Sequence, residues 1–245
     1  MLETYRAAVM ALDPLVPLAA SSEASLTINH WAPLKVIYAP FEHMPATAKV
    51  VIVGITPGRF QAEQALKALH LALVAGKPDK EALRIAKLTA SFSGPMRKNL
   101  LKMLDHVGLP GKLGLASSAE LFDRHELAHL TSALRYPVFK AGENYNGTPD
   151  MLRTTGLRQM IDTYLAEEAR ALAGAVWIPL GEKPAAALKH LAAKGALDPE
   201  RLLLGLPHPS GANNGPIGRF MTAPTGDAYG LAREKLRSKL ASLSI

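Results

Sequence analysis

The chain has 245 residues, a formal net charge of +7, 48% apolar and 20% charged residues, and no cysteine. That composition excludes disulfides, cysteine nucleophiles, thiolate zinc sites and cysteine-ligated iron–sulfur clusters, and it supplies enough apolar residues for a sizeable core, leaving disorder for the ends at most. The positive charge fits either a protein that meets a polyanion or an ordinary basic protein, and no apolar run approaches the ~18 residues of a membrane span.

The opening segment reads as an amphipathic helix with Leu2, Tyr5, Val9 and Leu12 on one face. Glu3 and Asp13 flank or interrupt its apolar stretch, so it does not read as a signal peptide, and a cytoplasmic, reducing location is expected. After a connector marked by Pro14, Pro17 and Ser21-Ser22 comes a short strand candidate at Val36-Ile37-Tyr38, and then a clear strand from Lys49 to Val53. Helices are expected from Gln61 to Ala75, from Asp79 to Thr89 and from Lys98 to Val107, with a break at Ser91-Phe92-Ser93-Gly94-Pro95. Ser117 with Glu120 suggests a capping box. Leu127 to Leu134 reads as a strand, Arg135 to Thr148 as a long loop, and Pro149 to Leu172 as a long helix opened by its proline. Strand Ala175 to Ile178, an Ala-rich helix from Pro184, strand Leu202 to Leu206 and a helix from Asp227 to Leu240 complete the chain. This alternation predicts a three-layer α/β/α sandwich around a central, mainly parallel four-stranded sheet, with residues 1–245 forming a single domain.

Two turns at strand ends stand out: Gly54-Ile55-Thr56-Pro57-Gly58 and His208-Pro209-Ser210-Gly211. Open α/β sheets bind ligands outside the carboxyl ends of their strands. In the first turn the glycines permit close backbone approach, Pro57 removes an amide, the remaining amides can converge on an acceptor, and the Thr56 hydroxyl can orient one water. It lacks the Gly-Lys-Ser/Thr ending of a phosphate-binding P-loop. A plain strand-to-helix turn is the alternative reading. In the second turn the His208 imidazole can donate a hydrogen bond to charge developing on a leaving group, while Ser210 and nearby amides can pin a phosphate; a capped loop histidine is the alternative.

Together, in this order and on this strand pattern, the two turns resemble the uracil-DNA glycosylase superfamily, which pairs a Gly-x-Asp/Asn-Pro-Tyr/Gly motif with a His-Pro-Ser motif. The resemblance covers roughly residues 36–221. It implies a DNA glycosylase that flips uracil out of the helix and hydrolyses its N-glycosidic bond, with no cofactor or metal, acting on uracil-containing DNA as a monomer. By the same resemblance, His208 hydrogen-bonds the departing uracil anion, Thr56 takes the place of the water-orienting residue, and Gly54, Ile55, Pro57 and Gly58 line the base site. Phe92 matches the aromatic on which the base stacks, and Ser132 takes the place of a base-reading Asn. Asn144 or Asn146, in the adjoining loop, can supply the amide that Ser132 lacks. DNA contacts are expected from Arg59, Ser210, Gly211, Ala212, Asn213, Asn214 and Arg219, with Arg97, Lys98 and Lys140 as further basic candidates.

The departures from the family pattern are informative. Thr56 cannot act as a general base near neutrality. Gly58 replaces the Tyr that excludes thymine in the strictest members. Ala212 is too small to wedge the gap left by a flipped base, which leaves Asn213, Asn214 or Ile217 for that task, or a preference for single strands. Thr56, Ser132 and Ala212 motivate a rival reading, a catalytically impaired binder of uracil or abasic DNA; a further alternative is a small-molecule nucleoside hydrolase whose basicity is incidental. His125-Glu126-Leu127-Ala128-His129 matches the H-E-x-x-H zinc pattern, but it runs into a strand candidate, where residues four apart lie ~13 Å from each other. Neither motif carries the paired carboxylates of an ordinary sugar hydrolase.

Overall fold

The computed structural model describes residues 1–94 and 96–245, without the side chains of Ala20 and Ser21. In chain order the helices are α1 (Leu2–Met10), α2 (Ala20–Ser25), α3 (Arg59–Val74), α4 (Asp79–Ala90), α5 (Met96–His106), α6 (Leu109–Lys112), α7 (Thr155–Met160), α8 (Ala166–Ala171), α9 (Glu182–Ala193), α10 (Asn214–Thr222) and α11 (Ala228–Ser242). The strands are β1 (Thr27–Trp31), β2 (Leu34–Ile37), β3 (Val50–Gly54), β4 (Ala128–Ser132), β5 (Val138–Lys140), β6 (Glu143–Asn144) and β7 (Val176–Pro179). The chain divides into two compact units: a first made of Met1–Met44, Thr56–Ser91 and Leu134–Asp150, and a second made of Pro45–Ile55, Phe92–Ala133 and Met151–Ile245.

The second unit is built on a parallel sheet of order β4-β3-β7. Strand β3 is apolar along its whole length and buried from Val50 to Gly54, as a central parallel strand covered on both faces must be. Ile52, Leu130 and Ile178 from the three strands pack with Leu100 and Met103 of α5, with Leu203, and with Phe220 of α10. The sheet has three strands and not the four expected from the sequence. The segment from Leu202 runs parallel to β7 but joins it by a single bridge at Trp177. The reason lies in the alternation of β7. Its even-numbered amides face β3, as in Leu180 N–H donating to Val53 C=O at 2.9 Å, while Gly181 N–H reaches Leu206 C=O at 2.9 Å on the other side. Pro179 falls on that second side and has no N–H to donate, and Gly205 leaves extended geometry at φ +115°.

The first unit holds an antiparallel sheet of order β1-β2-β5-β6, accompanied by α1 to α4. Tyr5 of α1 stacks on Tyr38 with ring centroids 4.8 Å apart, and Tyr38, Tyr136, Phe139, Leu66 and Leu69 are fully buried. Residues 135–148 are therefore not the plain loop expected from composition. They carry the β5–β6 hairpin, turned at Ala141 (φ 49°) and Gly142 (φ 86°). Tight hairpin turns of this hand need positive φ at both central residues, which is why Asn-Gly advertises them and Ala-Gly does not.

The other expected elements form to within a few residues, but α2 lies in the segment read as a connector, β1, α6 and α10 were not expected, and one helix is displaced. The long helix starts at Thr155, not Pro149, and is interrupted by a π turn over Ile161–Leu165. The preceding segment is held in a turn by side chains: Tyr145 Oη donates to the Pro149 carbonyl, and Arg158 to Leu152 C=O at 3.3 Å. The capping box forms, with Ser117 Oγ accepting from Ala119 N–H and Glu120 Oε1 accepting from Ser117 N–H. The break after α4 turns at Phe92 and Gly94; its last residue, Pro95, lies outside the described residues. No helix among the described residues is long and apolar enough to cross a membrane.

Candidate functional site

In the second unit the parallel register brings three strand ends to one edge. Gly54 stands opposite Ser132, and Val53 opposite Pro179. A Cβ placed on Gly54 would meet Ser132 Oγ at 3.4 Å and the Phe92 ring at 3.5 Å, so Gly54, Ser132 and Phe92 converge on one point. Phe92 is buried and sits at φ +48°, a left-handed conformation that costs a non-glycine residue about 1–2 kcal/mol and that persists only where the surroundings enforce it.

His208 follows the segment that flanks β7. Ser210 N–H donates to His208 Nδ1 at 3.3 Å. A ring nitrogen that accepts carries no proton, so the neutral imidazole holds its hydrogen on Nε2 and presents a donor there. Burial holds the imidazole pKa below the ordinary value, because the charged form loses hydration. The loop is braced by two residues that the motifs do not reveal. Gly181, at φ +88° just past β7, would put a Cβ 3.3 Å from His208 Cβ. Asn99 of α5 donates through Nδ2 to Pro209 C=O at 3.1 Å and to Asn214 Oδ1 at 3.2 Å. The sole sequence signal for Gly181 was a glycine ending a strand; Asn99 had none.

The remaining predicted residues of this unit fall as follows. Ser210 Oγ accepts from Asn213 Nδ2 at 2.8 Å, Gly211–Asn213 form a short 3-10 turn, and Ala212 and Asn214 are exposed. Ile217 is buried in the core and is removed from the wedge candidates. Arg219 is exposed, ion-paired with Asp227 at 2.6 Å and stacked 4.7 Å over Tyr229. Arg97 lies 4.1 Å over the Phe122 ring. His129 of the zinc-like pattern is fully buried on β4, with Nε2 3.0 Å from the Glu168 carboxylate, so its imidazole is directed into the interior. Ile55 ends this unit, half-buried.

The first unit contains the rest of the first motif. Thr56 Oγ1 donates to Tyr136 C=O at 3.0 Å and accepts from Val138 N–H at 3.1 Å. Its proton is thereby committed, and one acceptor lone pair remains. Pro57 is buried. Gly58 packs beside Asn144, whose amide nitrogen would lie 3.4 Å from a Cβ there. Asn144 Oδ1 accepts from Arg59 N–H at 2.8 Å and Gln61 Oε1 from Gly58 N–H at 3.1 Å, so the first turn of α3 is capped by side chains. Asn146 is exposed and accepts from Thr148 N–H at 3.2 Å, as turn asparagines do. Arg59 pairs with Glu23, donates to Gly142 C=O at 3.1 Å and lies 4.5 Å over Phe139. Burial pushes the Glu23 carboxyl pKa up, but hydrogen bonds from Arg59 and Lys35 outweigh it and hold the carboxyl below its usual range. Arg59 and Arg219, the two basic residues placed nearest the motifs by sequence, thus both carry intramolecular partners.

The sequence profile described as Uracil DNA glycosylase superfamily matches residues 41–226. The uncharacterized protein YoxB of Bacillus subtilis (strain 168) is 36% identical over 192 residues, covering 76% of this chain and 75% of the relative. No solved structure matches the chain at a significant level.

Proposed function

The chain belongs to the uracil DNA glycosylase superfamily, and from that membership we propose that it hydrolyses the N-glycosidic bond of uracil in DNA after the nucleotide has been flipped out of the helix. The observation that carries the proposal is the His208 loop: a half-buried imidazole, its pKa lowered by burial, whose Nδ1 accepts from Ser210 N–H and whose Nε2–H is left to donate. As the bond between sugar and base breaks, the sugar becomes cation-like and uracil gathers negative charge. A fixed donor stabilises that charge more than it stabilises the neutral substrate, which is what accelerates a reaction. Phe92, locked in its left-handed conformation, offers a ring for the base, a contact worth ~1–3 kcal/mol in comparable systems. A water oxygen then joins the sugar carbon and releases one proton to solvent, while uracil takes one up.

Ser132 supplies a hydroxyl beside Gly54 and Phe92 where an amide would read the uracil edge more strictly. For Thr56 the proposed role is to stitch the motif to residues 136–138, with its spare lone pair left for a water. A cytoplasmic setting, where DNA and a reducing milieu coincide, fits a chain without cysteine.

The test is an oligonucleotide bearing one uracil, incubated with the protein and then cleaved with alkali. Strand scission on single or double strands is expected, with a large loss in His208→Ala at nearly unchanged melting temperature. Absence of scission above the control overturns the enzyme reading. Retention of uracil-bearing or abasic DNA without base release would mark a binder, and DNA binding that ignores salt would favour a small nucleoside substrate.

A further inference from the structure

We propose that Asn99 is a positioning residue, whose side-chain amide sets the His208 imidazole by clamping the loop that carries it to helix α5. The inference rests on the reading of His208 given above. From Pro207 to Ser210 the chain has no strand or helix to hold it, and Pro209, next to His208, has no N–H to offer a neighbour. The Pro209 carbonyl is gripped by Asn99 Nδ2 at 3.1 Å, and the same nitrogen holds Asn214 Oδ1, at the start of α10, at 3.2 Å. Between these anchors Ser210 donates its N–H to His208 Nδ1 at 3.3 Å, and Asn213 ties back to Ser210 through both its backbone and its side chain. An unbroken series of bonds therefore runs from α5 through Asn99, Pro209 and Ser210 to the imidazole.

The clamp needs an NH2 group facing two oxygens. Asn99→Ala removes it, and Asn99→Asp replaces it with a third oxygen. Both are tested in the full chain by single-turnover cleavage of the uracil oligonucleotide and, independently of activity, by NMR titration of His208 in the free protein. Alanine is the better helix former, so Asn99→Ala is expected to melt like the parent. Expected in Asn99→Ala is a fall in the maximal rate on the order of 10-fold with half-saturation held within about twofold, since misplacing a reacting group by 1 Å can cost on the order of 100-fold. Asn99→Asp should fall further, and in both the His208 titration should move up toward ordinary imidazole. Unchanged rate and unchanged titration overturn the inference, as does weaker half-saturation at full rate, which would make Asn99 a DNA contact. Absence of cleavage in the parent protein would defeat the glycosylase reading alone; the His208 titration would still decide whether Asn99 sets the loop.

Discussion

Substitution of Gly181 by alanine probes whether the His208 loop is held by shape as well as by hydrogen bonds. Gly181 has φ +88° and ψ 178°, a region open essentially to glycine, and forcing another residue there costs about 1–3 kcal/mol. The new Cβ would stand 3.3 Å from His208 Cβ and 3.5 Å from its backbone nitrogen, so His208 must yield by a few tenths of an ångström. Taking about 100-fold per ångström of misplacement, a shift of ~0.5 Å lowers the rate about 10-fold. For a chain of this size 1 kcal/mol moves the melting temperature by roughly 2–4 °C, so a drop of about 2–12 °C is expected. Gly195, beyond the other end of α9, is the control: it has φ +73° with no atom within 4 Å of a Cβ. Gly195→Ala should lower the melting temperature through backbone strain but leave the rate alone. The assay is single-turnover uracil release at 25 °C, alongside thermal melts. If both variants cleave at the parent's rate, the contact between Gly181 and His208 does not reach the chemistry. If Gly181→Ala melts like the parent, the strain argument fails.

The pH profile offers a second check. The depressed His208 pKa means that the neutral Nε2–H donor persists below the ordinary imidazole value of about 6.5, so the rate should stay level through that value and fall only at more acidic pH; an acid limb at or above it would refute the neutral-donor assignment. Stability follows the same sign. His43, lowered to about 4 by burial and by Lys87 and Arg84, stays neutral when folded while the unfolded chain binds a proton, so the melting temperature should drop as pH falls from ~6.5 toward 4. Glu42 runs the other way. Both its oxygens are buried and its pKa is raised, chiefly by burial, so the folded state resists its ionisation. Glu42→Gln should melt higher than the parent at pH 8, with the gap closing toward pH ~4.5; a gap independent of pH would exclude an ionisable origin.

Most of the helices and the three strands of the parallel sheet were legible because they rest on local patterns: apolar runs, glycine and proline punctuation, and caps such as Ser117 with Glu120. The fourth strand was misread because Leu202 to Leu206 has strand composition, whereas pairing depends on what the neighbour can donate, and the neighbour places Pro179 on the facing side. The β5–β6 hairpin was missed because Ala141 occupies a positive-φ position without advertising it. Of the candidate site, His208, Phe92 and Gly54 were picked out through the motifs, while Asn99 and Gly181 were not, since they meet the His208 loop only through contacts distant along the chain.

By itself, the amino-acid sequence determined the secondary-structure alternation, the two strand-end turns and, through their order, the family. Such features depend on residues close to one another in the chain. Tertiary structure alone decided what each polar group has left to give. It commits the Thr56 hydroxyl to Tyr136 and Val138, pairs Arg59 with Glu23 and Arg219 with Asp227, and fixes the proton of His208 on Nε2 through Ser210. A side chain's chemistry is set by its type, but its availability is set by which partners folding brings within about 3 Å, and that is not written locally.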